Sequence, residues 1–326
     1  MIDETPLSPD RWLLLIHQLP AKPAYFRVKI WRRLQSLGAV AVKNAVYALP
    51  ANEQTREDFE WLLKEIVQGD GEAMVCEARL IDGLSDQEVR ALFNAARDGD
   101  YEALAKEARL LAETVETTST PRTEARARLA RLKGRAREIV AIDFYGANGR
   151  ETVDGLLAML DATLREDPVA APSSKEKAAV ETATLQRRLW VTRQGVHVDR
   201  IASAWLIRRF IDPEARFKFV RGQDYAPRAG ELRFDMFAAE FTHEGDCCTF
   251  EVLLTRTGVG DLALRAIGEI VHDIDLKDGK FGREETSGIA HLITGLTMAN
   301  KSDEQRMVQG SVVFDNLYEY FRKKRE

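Results

Sequence analysis

A stretch without apolar periodicity divides this sequence into two parts and limits its fold more than any other feature does. Residues 166–180 contain Pro168 and Pro172, two serines and several alanines. This composition is typical of a linker rather than of a packed element. With 326 residues, the chain has room for a hydrophobic core on each side. We therefore predict a linker at 166–186 between two folded parts.

The first part opens with a pattern that predicts a ferredoxin-like domain, with the order βαββαβ, over residues 1–83. Residues 12–16 form a continuous apolar run, as expected of a central strand. Residues 72–81 alternate between apolar and polar side chains, which is typical of a half-buried strand. The elements between them are a helix with its apolar face at 26–37, two short strands within 39–49 and a helix at 56–68.

Residues 84–165 are predicted to form a helical extension of this domain. Ser85 is a good N-cap for the first helix, because its side chain can accept a hydrogen bond from the first turn. The other predicted helices lie at about 100–116, 122–140 and 151–165.

Residues 187–326 predict a second domain, of the α+β class. A strand at 189–192 precedes a helix at 199–211, and strands follow near 216–220 and 231–235. From residue 248 onward the pattern predicts only helices, at 248–257, 261–273, 284–298 and 303–324. The whole chain is therefore predicted to be α+β, with a helical C-terminal half.

The net charge of −5 hides two strongly basic segments, at 22–33 and 122–137. Lysine and arginine displace counterions from phosphates, so both segments indicate contact with nucleic acid. The residues predicted to contact DNA are Arg27, Arg32, Arg33, Arg122, Arg126, Arg128, Arg131, Lys133, Arg135 and Arg137. In the alternative interpretation, the second segment is a solvated helix face paired with acidic neighbours such as Glu113 and Glu116.

A turn between a predicted strand and a predicted helix carries Arg193 and Arg200. Backbone N–H groups and the positive end of a helix dipole gather at such a turn. Two forked guanidinium groups would add donors suited to a tetrahedral oxyanion. Alternatively, the two arginines pair with nearby carboxylates, Asp199, Asp212 or Glu214, and merely fix the turn.

Histidines and carboxylates recur in the second domain, where four of the five histidines lie. Helices that each offer one histidine or carboxylate can build a metal site between them. The spacing matches no zinc motif, so solvated or structural histidines remain the alternative. The candidate ligands for a divalent metal ion are His243, Glu251, His272, Asp275, Glu285 and His291.

The number of cysteines and the length of the apolar runs indicate in which cellular compartment the protein is located. Three cysteines are too few for a disulfide framework, and no apolar run reaches the roughly eighteen residues that span a bilayer. We expect a cytoplasmic protein without a membrane segment. Cys247 and Cys248 are adjacent, and they are either redox-sensitive thiols or small buried fillers.

Three runs, at 189–193, 198–202 and 205–213, resemble the C-terminal signature of the ChrB chromate-resistance family. Ser203 and Ala204 stand where Cys-Pro is expected, so the resemblance implies no thiol role there. The N-terminal half is similar to ChrB proteins, to PaaX-like ferredoxin-like domains and to small CRISPR adaptation nucleases. His17 and Gln18 stand where those nucleases carry an acidic residue, so nuclease activity is not implied. The resemblance implies a chromate-sensing transcriptional regulator, with Arg193, Arg200 and His243 as the leading sensor residues.

We therefore predict a regulator that binds operator DNA through its N-terminal half, as a homodimer, and chromate or a similar oxyanion through its C-terminal half. The main rival is a metal-dependent enzyme, redox or hydrolytic, housed in the C-terminal domain. A non-catalytic scaffold, which would bind neither metal nor DNA, is the third possibility.

Overall fold

The computed structural model describes residues 11–117, 121–165, 182–220, 225–237, 239–300 and 302–323. These residues divide into two compact units. The first unit comprises the described residues up to Asp100 together with Arg135–Asn148. The second comprises Tyr101–Gly134 together with the described residues from Gly149 onward. Residues 166–181 of the predicted linker lie outside the described ranges.

The first unit contains a four-stranded sheet and two helices in the predicted order βαββαβ. The elements are β1 (Trp12–Gln18), α1 (Ala24–Ser36), β2 (Val40–Lys43), β3 (Val46–Pro50), α2 (Glu53–Gln68) and β4 (Glu72–Ala78). The strand order is β2-β3-β1-β4, and all neighbours are antiparallel. The mixed class of helix and sheet is therefore confirmed, while the ferredoxin-like assignment stays a prediction.

Local sequence signals set the ends of both helices. Gly38 follows α1 with φ of 71°, a left-handed conformation that favours glycine. A Cβ atom at this position would lie 2.7 Å from the Cβ of Ile142, so the close approach also requires glycine. At the start of α2, Asn52 and Thr55 form a reciprocal capping box.

Three long helices follow in the chain: α3 (Asp86–Thr117), α4 (Arg122–Ala141) and α5 (Gly149–Leu164). The predicted N-cap is present, since the backbone N–H of Glu88 donates to Ser85 Oγ over 3.2 Å. The separate helices predicted at 85 and at 100–116 were wrong, because α3 runs through Gly99 as one helix. Buried Phe93 and Tyr101 on either side of Gly99 outweigh the low helix propensity of glycine.

The second unit also contains a three-stranded parallel sheet, formed by β5 (Leu189–Arg193), β6 (Arg216–Val220) and β7 (Glu231–Arg233). Its order is β6-β5-β7, with β5 in the centre. The helix α6 (Val198–Leu206) follows β5 and continues into a π-helical turn at Ile207–Ile211, which precedes β6. Every residue of α6 is buried, so this helix lies inside the core rather than on its surface.

Only helices follow Cys248 in the described residues, as predicted. They are α7 (Thr249–Thr257), α8 (Leu262–Leu276), α9 (Thr286–Ala299) and α10 (Asp303–Lys323). The predicted start of the third was two residues early, so Glu284 and Glu285 precede α9. Within the ranges that the structure covers, no helix combines the length and the apolar character needed to cross a bilayer.

Candidate functional site

A buried polar centre surrounds His243 in the second unit, near the carboxyl ends of β5 and β7. In parallel sheets this edge is where ligands usually bind. Asp199 comes from the first turn of α6, Asp235 from the segment after β7, and Asp275 from the last turn of α8. His243 is 6% exposed, and Asp199 and Asp235 are buried to a similar extent.

Three carboxylates converge on one nitrogen of His243. Its Nε2 atom lies 3.2 Å from Asp199 Oδ2, 3.5 Å from Asp235 Oδ1 and 3.3 Å from Asp275 Oδ2. The other ring nitrogen, Nδ1, lies 3.2 Å from Oγ1 of Thr152 on α5. Because an N–H group donates mainly to one acceptor at a time, a single proton on Nε2 cannot satisfy all three carboxylates.

Asp199 is held in place by the beginning of α7. The backbone N–H groups of Thr249 and Phe250 donate to its two carboxylate oxygens over 2.8 and 3.0 Å. These N–H groups lie in the first turn of α7, where they have no partner within the helix. The hydroxyl of Ser203 donates to the same carboxylate over 3.3 Å. The orientation of Asp199 is therefore fixed from three sides.

Asp235 is held by Arg200 and Thr249. Arg200 Nε lies 3.1 Å from Asp235 Oδ2, and the hydroxyl of Thr249 donates to Asp235 Oδ1 over 3.0 Å. Asp235 has φ of 46°, a left-handed conformation that is costly for a residue with a side chain. The backbone carbonyl of Asp235 also accepts from Arg200 Nε, over 3.1 Å.

Burial and mutual charge perturb the acids and the imidazole of this centre. Burial raises the pKa of Asp275 to about 6, and the charge on Asp199 adds to that rise. Burial alone would lower the pKa of His243, but its hydrogen bonds to Asp199, Asp235 and Asp275 raise that pKa well above its ordinary value. Burial would raise the pKa of Asp235, but the charge on Arg200 and the hydrogen bonds from His243 and Thr249 together lower that pKa. The centre therefore attracts positive charge.

The predicted oxyanion residues Arg193 and Arg200 both have buried carboxylate partners. Arg193 Nη2 lies 3.2 Å from Glu151 Oε1 on α5, and Arg200 pairs with Asp235. The alternative interpretation anticipated carboxylate pairing, but Glu151 and Asp235, the partners seen here, are not among those it named. Asp212 instead accepts hydrogen bonds from the backbone N–H groups of residues 187 and 188.

The turn before α6 also holds an internal anion. The backbone N–H groups of Gly195 and Val196 donate to the carboxylate of Asp303 over 2.9 and 3.0 Å. This is the position at which the sequence predicted backbone donors for an oxyanion. The oxyanion assignment of Arg193, Arg200 and His243 stays a prediction, and any such ligand has to compete with these carboxylates.

A second cluster surrounds His272 of α8. His272 Nδ1 lies 2.7 Å from Glu251 Oε2 on α7, and its Nε2 atom lies 3.2 Å from Asp278 Oδ2. Burial would lower the pKa of His272, but the hydrogen bond to Glu251 and the charges of Glu251 and Asp278 together raise it above its ordinary value. Asp246 offers a further carboxylate oxygen within 4.8 Å of the ligand atoms of His272 and Asp278.

The six predicted metal ligands therefore separate into two pairs and two single residues. His243 lies with Asp275, and Glu251 lies with His272. Glu285 lies 3.5 Å from the guanidinium of Arg283, and His291 is exposed on α9. The sequence analysis gave the six residues as one set of candidate ligands, and metal binding by them stays a prediction.

The two adjacent cysteines lie near both clusters. Cys248 is buried and Cys247 is half-buried. Burial raises the pKa of both thiols, and the carboxylate of Glu251 adds to the rise for Cys247. Because the thiolate is the reactive form, these surroundings favour the interpretation as small buried fillers over that as redox-sensitive thiols.

Helix α1 presents the first basic segment to solvent. The side chains of Arg27, Arg32 and Arg33 are exposed, whereas Phe26, Ile30 and Leu34 are buried beneath them. Two aromatic side chains on the same helix are also exposed, Tyr25 at 70% and Trp31 at 54%. Exposed cations beside exposed aromatic rings are the groups that contact phosphates and bases in many nucleic-acid complexes.

Helix α4 carries the second basic segment, and part of it is engaged by α5. Arg126 donates to the carbonyl oxygen of Leu164, and Lys133 pairs with Asp161 over 2.6 Å. A groove of about 360 Å³ between these helices is lined by both cations and by Arg165. The exposed members of this segment are Arg122, Arg131, Arg135 and Arg137, while Arg128 is partly buried.

Comparison with known families covers nearly the whole chain. A family profile described as "ChrB, C-terminal domain" matches residues 190–321, and one described as "Protein ChrB, N-terminal" matches residues 27–166. The chain belongs to the ChrB family. It is 31% identical over 329 residues to a curated protein named "Protein ChrB" from Cupriavidus metallidurans, covering 98% of each chain. No solved structure matched it.

Membership of the ChrB family suggests a regulatory role in chromate resistance. The residues of the buried centre fall within the part matched by the ChrB C-terminal profile, apart from Thr152 and Glu151 on α5. The three exposed arginines of α1 fall within the part matched by the N-terminal profile.

Two residues of the centre were missed as ligands by sequence reasoning. Asp199 was considered only as an ion-pair partner for the arginines, and Asp235 was not singled out. The available signal was that each follows a strand of the parallel sheet, where side chains converge at the carboxyl edge. The spacing of residues along the sequence does not reveal this convergence, because Asp199, Asp235 and His243 come together only when the strands of the sheet pair.

Proposed function

We propose that this protein regulates transcription in response to chromate, binding operator DNA through the first unit and an oxyanion through the second. The observation that supports this function best is the match to both ChrB profiles together with the exposed basic and aromatic face of α1. A homodimer is part of the proposal, because repressors commonly read two-fold operators.

The α1 surface is the stronger candidate for contact with DNA. We define it as the exposed residues Tyr25, Arg27, Trp31, Arg32 and Arg33. Its arginine side chains are exposed while the apolar residues of α1 are buried, so phosphate contact requires no rearrangement of the core. On α4, by contrast, Arg126 and Lys133 are already bonded to α5 and contribute less to a phosphate interface.

The oxyanion response is proposed to act through Arg193. Its partner Glu151 belongs to α5, and α5 also holds Arg126 and Lys133 of the basic helix α4. An oxyanion that binds Arg193 has to displace Glu151, and this displacement frees the N-terminal turn of α5. The ligand shifts the DNA equilibrium only if it binds the DNA-free state more tightly.

A mobility-shift assay on operator DNA, with and without chromate, tests this function. We expect the wild-type complex to dissociate on addition of chromate. The double variant Arg193→Gln with Glu151→Gln removes both charges together, so that no buried charge is left unpaired. This variant should retain DNA binding and lose the response to chromate. Release of the double variant at the same chromate concentration as wild type would remove Arg193 from the sensor.

A single variant, Glu151→Gln, sharpens the test. It removes the competing charge but keeps a hydrogen-bond acceptor beside Arg193. The variant should respond to chromate at a lower concentration than wild type does.

Sulfate is the control ligand for chromate, because its shape and charge are similar. An equal response to sulfate would assign the site to tetrahedral oxyanions generally.

A metal-dependent enzyme remains the second candidate. The observation that favours it is the buried histidine with three carboxylates at the carboxyl edge of a parallel sheet. Its test is a search for turnover in metal-loaded protein.

A further inference from the structure

We propose that Asp199, Asp235, His243 and Asp275 form a binding site for one divalent first-row transition-metal ion, such as Mn²⁺ or Fe²⁺. None of the comparisons assigns a ligand to these residues. We call this group the His243 site.

The distances from His243 Nε2 to the three carboxylates are those expected between ligands of one metal ion. Metal–nitrogen and metal–oxygen bonds of about 2.1 Å place tetrahedral ligands about 3.4 Å apart and octahedral neighbours about 3.0 Å apart. The three measured separations from His243 Nε2 are 3.2, 3.3 and 3.5 Å. The oxygens of Asp199 and Asp235 also lie within 4.8 Å of each other. The nitrogen of His243 and the oxygens of Asp199 and Asp235 therefore already lie close enough together to bind one ion, and the carboxylate of Asp275 lies beside the same nitrogen.

The orientation of His243 supports the same site. Metal-bound histidines usually use one ring nitrogen for the ion and the other for a hydrogen bond that fixes the ring. Nδ1 of His243 faces the hydroxyl of Thr152, which accepts from it when Nε2 binds the ion. The ring is thus held with Nε2 directed at the carboxylates.

An outer shell of donors fixes two of the carboxylates. Asp199 accepts from two backbone N–H groups of α7, and Asp235 accepts from Arg200 and from the hydroxyl of Thr249. Ligating carboxylates in metal sites are characteristically fixed in this way. Asp275, by contrast, has His243 as its ion-pair partner and adds a third carboxylate beside Nε2.

The charge of the site matches a divalent ion. Three carboxylates and the guanidinium of Arg200 leave two negative charges when His243 is neutral. Burying an unbalanced charge of this size is costly, and a divalent cation cancels it.

The donor set limits the identity of the ion. Carboxylate oxygens suit Mg²⁺, Ca²⁺ and Mn²⁺, whereas imidazole suits Zn²⁺, Fe²⁺, Ni²⁺ and Cu²⁺. One nitrogen with three carboxylates therefore favours ions that accept both donor types. Mn²⁺ and Fe²⁺ fit this requirement best, and Zn²⁺ is the nearest competitor.

The cluster around His272 is less suited to a cation, because basic side chains already occupy its carboxylates. Lys280 lies 3.0 Å from Asp246, and Arg109 lies 3.3 Å from Asp246 and 3.5 Å from Asp278. A metal ion there has to displace two positive charges. In the His243 site, the guanidinium of Arg200 contacts Asp235 Oδ2, whereas His243 faces Oδ1.

Metal binding by the full-length, tag-free protein tests the proposal. The protein is first treated with a chelator, and Mn²⁺ is then titrated while electron paramagnetic resonance follows the free ion. We expect one Mn²⁺ per chain. Asp275→Asn should weaken binding at least about tenfold, because the amide provides a neutral and poorer ligand. Competition by Zn²⁺ and Mg²⁺ ranks the ions.

Matched controls separate the His243 site from its neighbours. His291→Gln removes an exposed histidine, and Asp278→Asn alters the His272 cluster; both should keep wild-type affinity. His243→Gln should abolish binding, with circular dichroism used to check that it folds. If that variant does not fold, the partly exposed Asp275→Asn variant carries the test.

Three results would overturn the proposal. The first is a failure of wild-type protein to bind any of the ions stoichiometrically. The second is unchanged affinity in a folded Asp275→Asn variant, and the third is loss of affinity in Asp278→Asn alone. None of these measurements involves DNA or chromate, so their outcome is independent of the regulatory function proposed above.

Discussion

Arginines are concentrated both on helix α1 and around the turn from β5 to α6, yet the two groups have opposite surroundings. Arg27, Arg32 and Arg33 of α1 are exposed to solvent. Arg193 and Arg200 are buried, and each lies against a buried carboxylate. The same residue type thus serves two purposes: exposed guanidinium groups remain available to external phosphates, while buried ones balance internal charge. Sequence position alone does not distinguish these cases.

The largest expected difference between the regions concerns stability. Glu151→Ala removes the buried carboxylate that pairs with the buried charge of Arg193, so we expect the free energy of unfolding to fall by about 3 kcal/mol. Glu65→Ala is the matched control, because Glu65 pairs with the exposed Lys29 of α1. Its effect should stay below about 1 kcal/mol. Urea unfolding at neutral pH measures both, and equal losses would contradict the comparison.

The next prediction concerns DNA affinity and its dependence on salt. Log affinity for DNA falls linearly as log salt concentration rises, and the slope becomes steeper with each phosphate that the protein neutralises. Replacing Arg27, Arg32 and Arg33 together by alanine should make this slope shallower, by up to about one for each phosphate that the variant no longer neutralises. Arg56→Ala provides a control, since Arg56 is exposed but paired with Glu77. An unchanged slope in the triple variant would exclude α1 from the interface. The same measurement on Arg131→Ala and Arg135→Ala compares α4 with α1.

The carboxylate of Glu231, which is partly buried, predicts that stability depends on pH. The hydroxyl of Tyr225 and the ammonium group of Lys218 donate to Glu231, and with the backbone N–H of Arg228 they lower the pKa of Glu231 to about 2. This carboxylate stabilises the fold above its ordinary pKa of 4.5 and loses that effect as pH falls toward 2. The stability gap between wild type and Glu231→Gln should therefore narrow between pH 5 and about pH 2. A constant gap in acid denaturation curves would contradict this assignment.

The smallest predicted effect is a gain in stability on removal of a carboxylate, Asp154, rather than a loss. Burial raises the pKa of Asp154 to about 6, against the attraction of Arg150. A carboxylate with a raised pKa favours the folded state while it is protonated, so its effect becomes unfavourable as pH rises from 3.8 through about 6. Asp154→Asn should therefore stabilise the protein at pH 8 relative to wild type, by less than about 1 kcal/mol because the side chain is partly exposed. Thermal unfolding of both proteins at pH 5 and pH 8 provides the test.

The elements of the fold were largely predictable, because each has a local signal. The apolar run of β1, the N-cap at Ser85 and the stop at Gly38 act over a few residues and were found where expected. The exception was the division of α3 at Gly99, which followed helix propensity. Burial of side chains on both sides of that glycine keeps the helix continuous.

The candidate site was only partly predictable, because its residues meet through long-range contacts. His243 and Asp275 were recognised as possible ligands from their chemistry. Asp199 and Asp235 were not, since their proximity follows from the parallel pairing of β5 with β7. The partners of Arg193 and Arg200 were missed for the same reason. Glu151 lies 42 positions before Arg193, and Asp235 lies 35 positions after Arg200.

The hydrogen bonds between Asp303 and the turn before α6 have a consequence for synthesis of the chain. Gly195 leaves the ribosome 108 residues before its partner does. At about 5–20 residues per second, roughly 5 to 20 seconds pass before α10 can secure this turn. During that interval the nascent C-terminal domain has its strands but lacks the carboxylate that completes their connection to α6. A messenger truncated before residue 303 would therefore yield a chain whose central turn stays unsecured, although every residue of the His243 site had been translated.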